Sequence, residues 1–365
     1  GEYRLLEMTQ RANGKELPYV QIEDMRQEMR EGNRCILSRH LQEQLEICLE
    51  RGSQAMLFLN RRGYAGFVAC RSCGRVIGCP HCNVSLSLHK KVTAGEKLVC
   101  HYCGLYTAKS TPLSILRFSF YRKFSDWDTA GGKPGTEKCF QKARILRMDA
   151  DTTRGKDGYH KILDTFVRGE ADILVGTQMI VKGHDFENVT LVGALAADLS
   201  LHMSDYRSAE RTFQLLTQAA GRAGRGAKSG SVVIQTYEPG NYSIQAAAKQ
   251  DYQAFYEEEI LYRSLMDYPP VGGMLALHGQ GEDETYLQMA MDYLKKYLDV
   301  LAKKTQARVI GPADESVSKV ADTYRKVIYV RHDLQEVLDQ IKERTEQYIE
   351  INRGFDKITI QYDRD

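Results

Sequence analysis

The sequence predicts an α/β protein: a parallel sheet with helices on both faces, interrupted by a cysteine-rich insert and followed by a small α+β domain. First, strand patterns alternate with helix patterns on both sides of the insert, as in parallel sheets. Second, six of the nine cysteines form Cys-x-x-Cys pairs within 34 residues. Third, the pattern after residues 268–270, Tyr-Pro-Pro, becomes β-α-β-β-α-β, the order of the split βαβ, ferredoxin-like fold.

The elements before the insert are a helix and a strand. Leu41, Leu45, Cys48 and Leu49 recur at helical spacing, and the apolar run at 55–59 predicts a strand. Cys48, like Cys35, lies outside the cysteine pairs. We interpret both as ordinary buried thiols.

After the insert, strands and helices alternate until a long helical stretch at about 241–266. The apolar patterns predict strands at 144–148, 172–175, 189–195 and 231–236, and helices at 159–167 and 207–218. Loops at the strand ends of such a sheet are available for ligands.

The Tyr-Pro-Pro sequence breaks the helical pattern and marks a boundary. Beyond it we predict strands at 274–277, 308–310, 326–330 and 358–362. The first helix of this part places Leu287, Met291, Leu294, Leu298 and Leu301 on one face, and the second runs through Leu334, Leu338 and Ile341. The predicted divisions are 1–67 and 143–266 for the interrupted lobe, 68–142 for the insert and 267–365 for the last domain.

The charge is unevenly distributed along the 365 residues. The formal net charge is +2, yet residues 61–160 carry 18 lysines and arginines against 7 aspartates and glutamates, an excess of 11 positive charges. This segment is where binding to a polyanion is expected. No apolar run of eighteen residues and no export leader is evident, which predicts a soluble, cytoplasmic protein without membrane contact.

The paired cysteines predict a metal site rather than disulfides. Two Cys-x-x-Cys turns can fill the tetrahedral shell of one structural zinc ion, and the best complete set is Cys79, Cys82, Cys100 and Cys103. Cys70 and Cys73 then need partners from elsewhere, for which the candidates are Cys139, His81 and His101, so a second zinc is doubtful. An iron–sulfur cluster and a set of free or redox-active cysteines are the alternatives.

Residues 218–225, Gln-Ala-Ala-Gly-Arg-Ala-Gly-Arg, follow a predicted helix and indicate phosphate chemistry. Arg222 and Arg225 can grip phosphate oxygens, because guanidinium stays charged and its planar fork matches phosphate geometry. Gln218, one helical turn before Gly221, can orient a water molecule or a γ-phosphate oxygen. The alternative is a solvated basic turn without a ligand.

Residues 175–186 form a second candidate. Gly176 and Thr177 follow a predicted strand and offer backbone N–H groups and a hydroxyl to a nucleic-acid phosphate, with Gln178 beside them. Lys182 and Gly183 allow an anion to approach closely. Asp185 can accept hydrogen bonds from a ribose hydroxyl.

These two stretches together resemble motifs V and VI of superfamily-2 helicases. Over nearly the whole chain the sequence resembles the family of PriA-type replication-restart helicases, also called primosomal protein N′. The resemblance rests on the cysteine pairs, both stretches above, and residues 60–64, 147–153, 209–225, 309–313 and 324–325.

The resemblance implies a RecA-like second helicase lobe, a zinc-binding insert and a C-terminal domain, from an ATP-dependent 3′-to-5′ DNA helicase that restarts stalled replication forks. Arg222 and Arg225 would reach ATP and Mg²⁺ held by the first lobe, and Thr177 would lie on the tracked strand. Implied partners are forked or single-stranded DNA, primosome proteins, the replicative helicase loader and single-strand-binding protein. The implied location is the bacterial cytoplasm, at the nucleoid.

The sequence departs from the family between 105 and 133, where the family has a fourth cysteine pair that joins the first pair on one zinc. It also shows neither a Gly-x4-Gly-Lys-Ser/Thr loop nor an Asp-Glu-x-His string, so the chain alone is expected not to hydrolyse ATP.

The main alternative to a helicase lobe is a zinc-dependent DNA-binding and partner-docking module without turnover. An RNA-directed zinc-ribbon protein is a further one.

Overall fold

The structure is a computed structural model and describes residues 14, 16–33, 35–59, 68–70, 80, 87–91, 95–99, 105–108, 115–117, 143–148, 152–153, 158–180, 185–201 and 206–364. The chain separates into two compact units. The first comprises Gly1–Tyr64 and Lys123–Tyr256, and the second Ala65–Arg122 and Glu257–Asp365. The finer division into four parts stays a prediction.

The first unit is built on a six-stranded, wholly parallel sheet. Its strands are β1 (Tyr19–Asp24), β2 (Gln54–Leu59), β8 (Ile145–Met148), β9 (Ile173–Gly176), β10 (Val189–Leu195) and β11 (Ser231–Thr236). Their order across the sheet is β1-β11-β10-β2-β9-β8. All six therefore end at one carboxyl edge and begin at one amino edge.

Helices of this unit lie between or after these strands in the chain. They are α1 (Met25–Arg30), α2 (Arg39–Glu50), α3 (Gly158–Val167), α4 (Ser208–Ala220), α5 (Tyr242–Lys249) and α6 (Tyr252–Met266), the last of which runs on into the second unit. In the part of the chain that the structure describes, no helix has both the length and the apolar character needed to cross a membrane.

Both faces of the sheet are covered, as the alternation of strands and helices predicts. On one face, Leu41 of α2 packs close to Gly193 of β10 and Leu57 of β2. On the other face, Met56 and Val192 belong to a core that also includes side chains of α3, α4 and α5: Leu163, Phe166, Phe213, Leu216, Ile244 and Ala247. Burial on both sides explains why these strands are continuous apolar runs rather than alternating ones.

Most strand and helix predictions for this unit are confirmed, and two features are not as expected. The strands at 189–195 and 231–236 have the predicted bounds. Strand β1, which pairs with β11 at the sheet edge, was not predicted. The stretch at 241–266 is two helices rather than one, because Gln250 adopts a left-handed conformation (φ 53°) and the Asp251 carboxylate accepts the Ala254 N–H (2.9 Å), which starts a new helix.

The second unit contains the predicted split βαβ domain. Its elements are β12 (Gly273–Gly281), α7 (Glu284–Thr305), β13 (Arg308–Val320), β14 (Thr323–His332), α8 (Gln335–Ile351) and β15 (Thr359–Arg364). The antiparallel sheet has the order β13-β14-β12-β15, so β14 lies between the two strands of the first βαβ unit. The five apolar residues predicted to share one face of the first helix are all buried.

Among the described residues, five short strands of the second unit fall in the region of the cysteine-rich insert. They are β3 (Val68–Cys70), β4 (Ser87–Lys91), β5 (Gly95–Val99), β6 (Tyr106–Ala108) and β7 (Ile115–Arg117). Strand β3 pairs with β7, and β4, β5 and β6 form a three-stranded antiparallel sheet.

Candidate phosphate and nucleic-acid site

The first predicted group, Gly176 and Thr177, lies at the carboxyl edge of the parallel sheet. Strand β9 ends at Gly176, where a Cβ atom would overlap the Ile180 side chain and come within 2.5 Å of the Met148 carbonyl oxygen. Only glycine allows this close approach. Thr177 follows in a tight turn, in which its carbonyl oxygen accepts the Ile180 N–H (3.0 Å). Gln178 is half-buried beside it.

The second predicted group, the arginine turn of residues 221–225, lies at the opposite edge. Helix α4 ends at Ala220, and the chain tightens through Arg222 N–H to Ala219 O (3.0 Å) and Ala223 N–H to Ala220 O (3.1 Å). Gly224 then adopts a left-handed conformation (φ 68°), and its N–H donates to Val189 O (3.0 Å) at the start of β10. This hydrogen bond fixes the turn to the amino edge of the sheet.

Arg225 has contacts to two different segments of the chain. Its Nε donates to the Gly221 carbonyl oxygen (2.9 Å), and its Nη1 forms an ion pair with Asp185. The predicted role of Asp185 was to accept a ribose hydroxyl, and the structure places its carboxylate on Arg225. The two residues are 40 positions apart in the chain.

Arg222 is half-buried in the same turn. Burial, and to a lesser extent the positive charge of Arg225, lowers the pKa of the Arg222 guanidinium, while the Asp185 carboxylate opposes the shift. Arginine remains charged at neutral pH even so. A partly desolvated guanidinium beside a second one favours the arrival of an anion, since the anion would compensate both effects.

Gln218 is exposed on the last turn of α4 and precedes Gly221 by three residues. Its position on the helix that leads into the arginine turn is the predicted one. Its role in orienting water or a phosphate oxygen stays a prediction.

The direction of the strands separates the two groups. Gly176 ends β9 at the carboxyl edge, whereas Gly224 and Arg225 are joined to Val189 and Asp185 at the amino edge, where β10 begins. The structure thus brings Asp185 and Arg225 together and keeps both away from Thr177. On either side of the gap at 181–184, Ile180 and Phe186 lie in the core.

Several predicted site residues lie outside the described residues. Lys182 and Gly183 fall in the gap at 181–184, and Cys73, Cys79, Cys82, Cys100 and Cys103 fall in the gaps of the insert. His81, His101 and Cys139, the candidate additional ligands, are outside it as well. Cys70 ends β3, but its side chain is not among those described.

One buried carboxylate at the carboxyl edge was not singled out from the sequence. Asp198 is 4% exposed and accepts hydrogen bonds from Thr236 Oγ1 and Tyr237 N–H, both at 2.9 Å. Burial, followed by the charge of Asp198, raises the pKa of Tyr237. The signal was an aspartate directly after the apolar run of β10, a position at which a parallel sheet places functional side chains.

Two family models match the chain. Residues 79–106 match the model described as the PriA DNA helicase Cys-rich region (CRR) domain, and residues 97–227 match the helicase conserved C-terminal domain. The first range contains all four cysteines of the best predicted zinc set, which as thiolates supply the donors of a closed tetrahedral zinc site. The match therefore supports zinc binding by this region.

The relatives found among known proteins agree with these models. The chain is 40% identical over 356 residues to replication restart protein PriA of Bacillus subtilis (strain 168), a match that covers 95% of this chain and 44% of that protein. The same protein of a Synechocystis strain is 43% identical over 329 residues, covering 90% and 39%. That of Treponema pallidum (strain Nichols) is 35% identical over 341 residues, covering 93% and 50%.

The chain thus spans half or less of the length of these relatives, while each relative covers at least 90% of the chain. The helicase C-terminal model includes Thr177, Asp185 and both arginines, and the Cys-rich model includes two of the three cysteine pairs. From the arginine turn, the cysteine pairs and these matches together, we conclude that the chain belongs to the family of replication restart protein PriA, as a C-terminal part of it.

Proposed function

We propose that this chain is the second motor lobe, with its zinc-binding insert and C-terminal domain, of an ATP-dependent 3′-to-5′ DNA helicase. The whole protein would recognise stalled replication forks and restart replication by assembling a primosome. Family membership supports the proposal, and the arginine turn is the observation in this chain that carries it.

The arrangement of the two edges suits a motor. Arg222 and Arg225 at the amino edge would contact ATP and Mg²⁺ held by a first lobe, and Gln218 and Gly183 would lie beside them. A preorganised guanidinium there stabilises the charge of a transferring phosphoryl group. Gly176, Thr177, Gln178 and Lys182 would hold the backbone of the tracked DNA strand.

The partners follow from the same proposal. They are forked or single-stranded DNA, primosome proteins, the replicative helicase loader and single-strand-binding protein, met in the cytoplasm at the bacterial nucleoid. One structural zinc would be held by Cys79, Cys82, Cys100 and Cys103, and a second zinc by Cys70 and Cys73 only if further ligands join them.

The decisive experiment measures DNA-stimulated ATP hydrolysis. The whole protein should turn over ATP, and Arg222→Ala or Arg225→Ala should lower kcat by about 10³-fold, because each removes charge stabilisation of the phosphoryl group. The matched control is Arg168→Ala: this arginine is 64% exposed and pairs with Glu170, so its loss should leave kcat unchanged. Full activity in both turn variants would contradict the proposal.

A second candidate function is a zinc-dependent DNA-binding and partner-docking module without turnover. The sequence favours it for the isolated chain, because the phosphate loop of an ATPase is not among its motifs. The 365-residue chain should then hydrolyse no ATP by itself. Robust DNA-stimulated ATP hydrolysis by the purified chain would exclude this second function. It would also show that the 365-residue chain contains a complete nucleotide site.

A further inference from the structure

The contact between Asp185 and Arg225 orients the guanidinium of Arg225. A guanidinium held at one nitrogen can still pivot, whereas contacts at two nitrogens fix the plane of its fork. The Gly221 carbonyl oxygen holds Nε at 2.9 Å, and the Asp185 carboxylate holds Nη1. The orientation of Arg225 therefore depends on a residue from a different part of the chain.

Asp185 is itself anchored close to the sheet. The next residue, Phe186, is 4% exposed and packs edge-on against Phe166, with ring centroids 5.0 Å apart. Three residues later, Val189 accepts the Gly224 N–H (3.0 Å). The carboxylate and the arginine turn thus share one support at the start of β10, and this support defines where the guanidinium points.

The pair contributes little to the stability of the fold. The Asp185 side chain is 69% exposed and that of Arg225 is 35% exposed, and ion pairs this open to solvent are screened. A contact of this kind is better suited to orienting a group than to holding the lobe together. It also leaves the guanidinium at the surface, within reach of a phosphate.

We propose that Asp185 is a positioning residue for Arg225, rather than a direct ligand of the ribose. This inference rests on the proposed function, because it assumes that Arg225 meets the γ-phosphate of ATP. Asp185 would fix the fork in the orientation that suits the phosphoryl oxygens before the nucleotide arrives, so that less reorganisation is needed during the reaction.

The test is a double-mutant cycle in the whole protein: Asp185→Asn, Arg225→Ala and the double variant. If Asp185 acts through Arg225, Asp185→Asn should lower kcat at saturating ATP by about tenfold or more, since a misplacement of about 1 Å can cost about a hundredfold. The double variant should be no slower than Arg225→Ala alone. Effects that multiply independently would overturn the proposal.

Two further measurements separate positioning from ribose binding and from a general loss of structure. Asp185→Asn should weaken binding of a non-hydrolysable ATP analogue more than binding of ADP, and its fold-change should be the same for ATP and for 2′-deoxy- or 3′-deoxy-ATP. A loss that disappears with a deoxynucleotide would assign Asp185 to the ribose instead. Glu187→Gln is the matched control, because it removes an exposed carboxylate two residues away and should change none of these values.

The cycle also distinguishes this inference from the proposed function. An inactive wild-type protein would remove the proposed function itself. If kcat falls in Arg225→Ala but not in Asp185→Asn, only the positioning role of Asp185 is contradicted.

Discussion

At the scale of single residues, the site depends on backbone geometry as much as on charge. The two arginines are the chemical groups, but Gly224 decides where they lie. Its left-handed conformation turns the chain after α4 and directs its N–H to Val189 O. A Cβ atom at this position would overlap the backbone of Gly230. The strand-to-turn contact therefore requires glycine for two separate reasons, conformation and space.

The two reasons can be measured apart with a pair of variants. Gly169 also has positive φ (71°), but nothing lies within 4 Å of its added Cβ, so Gly169→Ala should cost only the conformational penalty of about 1–2 kcal/mol. Gly224→Ala should destabilise the lobe by more, because the Cβ also displaces backbone. Urea unfolding of both variants checks this, and equal losses of unfolding free energy would show that the overlap is relieved without cost.

At the scale of elements, a side-chain contact in the antiparallel sheet of the second unit joins two strands, β12 and β13, that are not neighbours. His278 of β12 lies 2.8 Å, Nδ1 to Oε1, from Glu315 of β13, and β14 separates the two strands. The hydrogen bond to Glu315 raises the pKa of His278, burial opposes the shift, and the carboxylates of Glu315 and Asp363 add to it. The protonated imidazole is thus favoured in the folded state.

This shift predicts a stability that depends on pH. Because the folded-state pKa of His278 is raised, its contribution is fully present below the unfolded pKa of about 6.5 and is lost as pH rises through the folded value. His278→Gln should therefore destabilise the protein more at about pH 5.5 than at about pH 9 in urea unfolding. His160→Gln, at an exposed position of α3, is the control. An equal loss at both pH values would contradict the role of His278.

At the scale of the whole molecule, the cysteine-rich insert is expected to depend on metal, because its paired cysteines supply the ligands of a structural zinc ion. A structural zinc in a small unit supplies about 10 kcal/mol or more of apparent binding free energy. Cys82→Ser or Cys100→Ser should therefore unfold the insert while the parallel-sheet lobe persists. Cys70→Ser should do much less, because the sequence has no fourth Cys-x-x-Cys pair to complete the ligand set of Cys70 and Cys73.

Elemental analysis of freshly purified protein, combined with limited proteolysis, tests this prediction. We expect one zinc ion per chain in the wild type and in Cys70→Ser, and early cleavage within 68–142 only in the Cys82 and Cys100 variants. Two zinc ions per chain would assign ligands to the Cys70 and Cys73 pair, with Cys139, His81 and His101 as the candidates. No zinc would contradict the site altogether.

The helices and strands of this protein could be predicted where burial of apolar side chains alone defines their pattern. Strands β10 and β11 are buried on both faces, so their apolar runs define their bounds, and the buried positions of α7 follow its helical period. Strand β1 was not predicted, because it is a partly exposed edge strand without such an apolar run. The boundary between α5 and α6 at Gln250 was not predicted, because a non-glycine residue in the left-handed conformation has no sequence signal of its own.

The sequence by itself determined the class of fold, the family and the residue types of the site, because these depend on periodicity and on short motifs that are local in the chain. Only the tertiary structure decided which of those residues meet. Parallel strands place Thr177 and Arg225 at opposite edges, and the pairing of Asp185 with Arg225 joins positions 40 residues apart. Contacts of this kind are set by strand direction and by packing against a shared core, and neither is encoded in any single stretch of sequence.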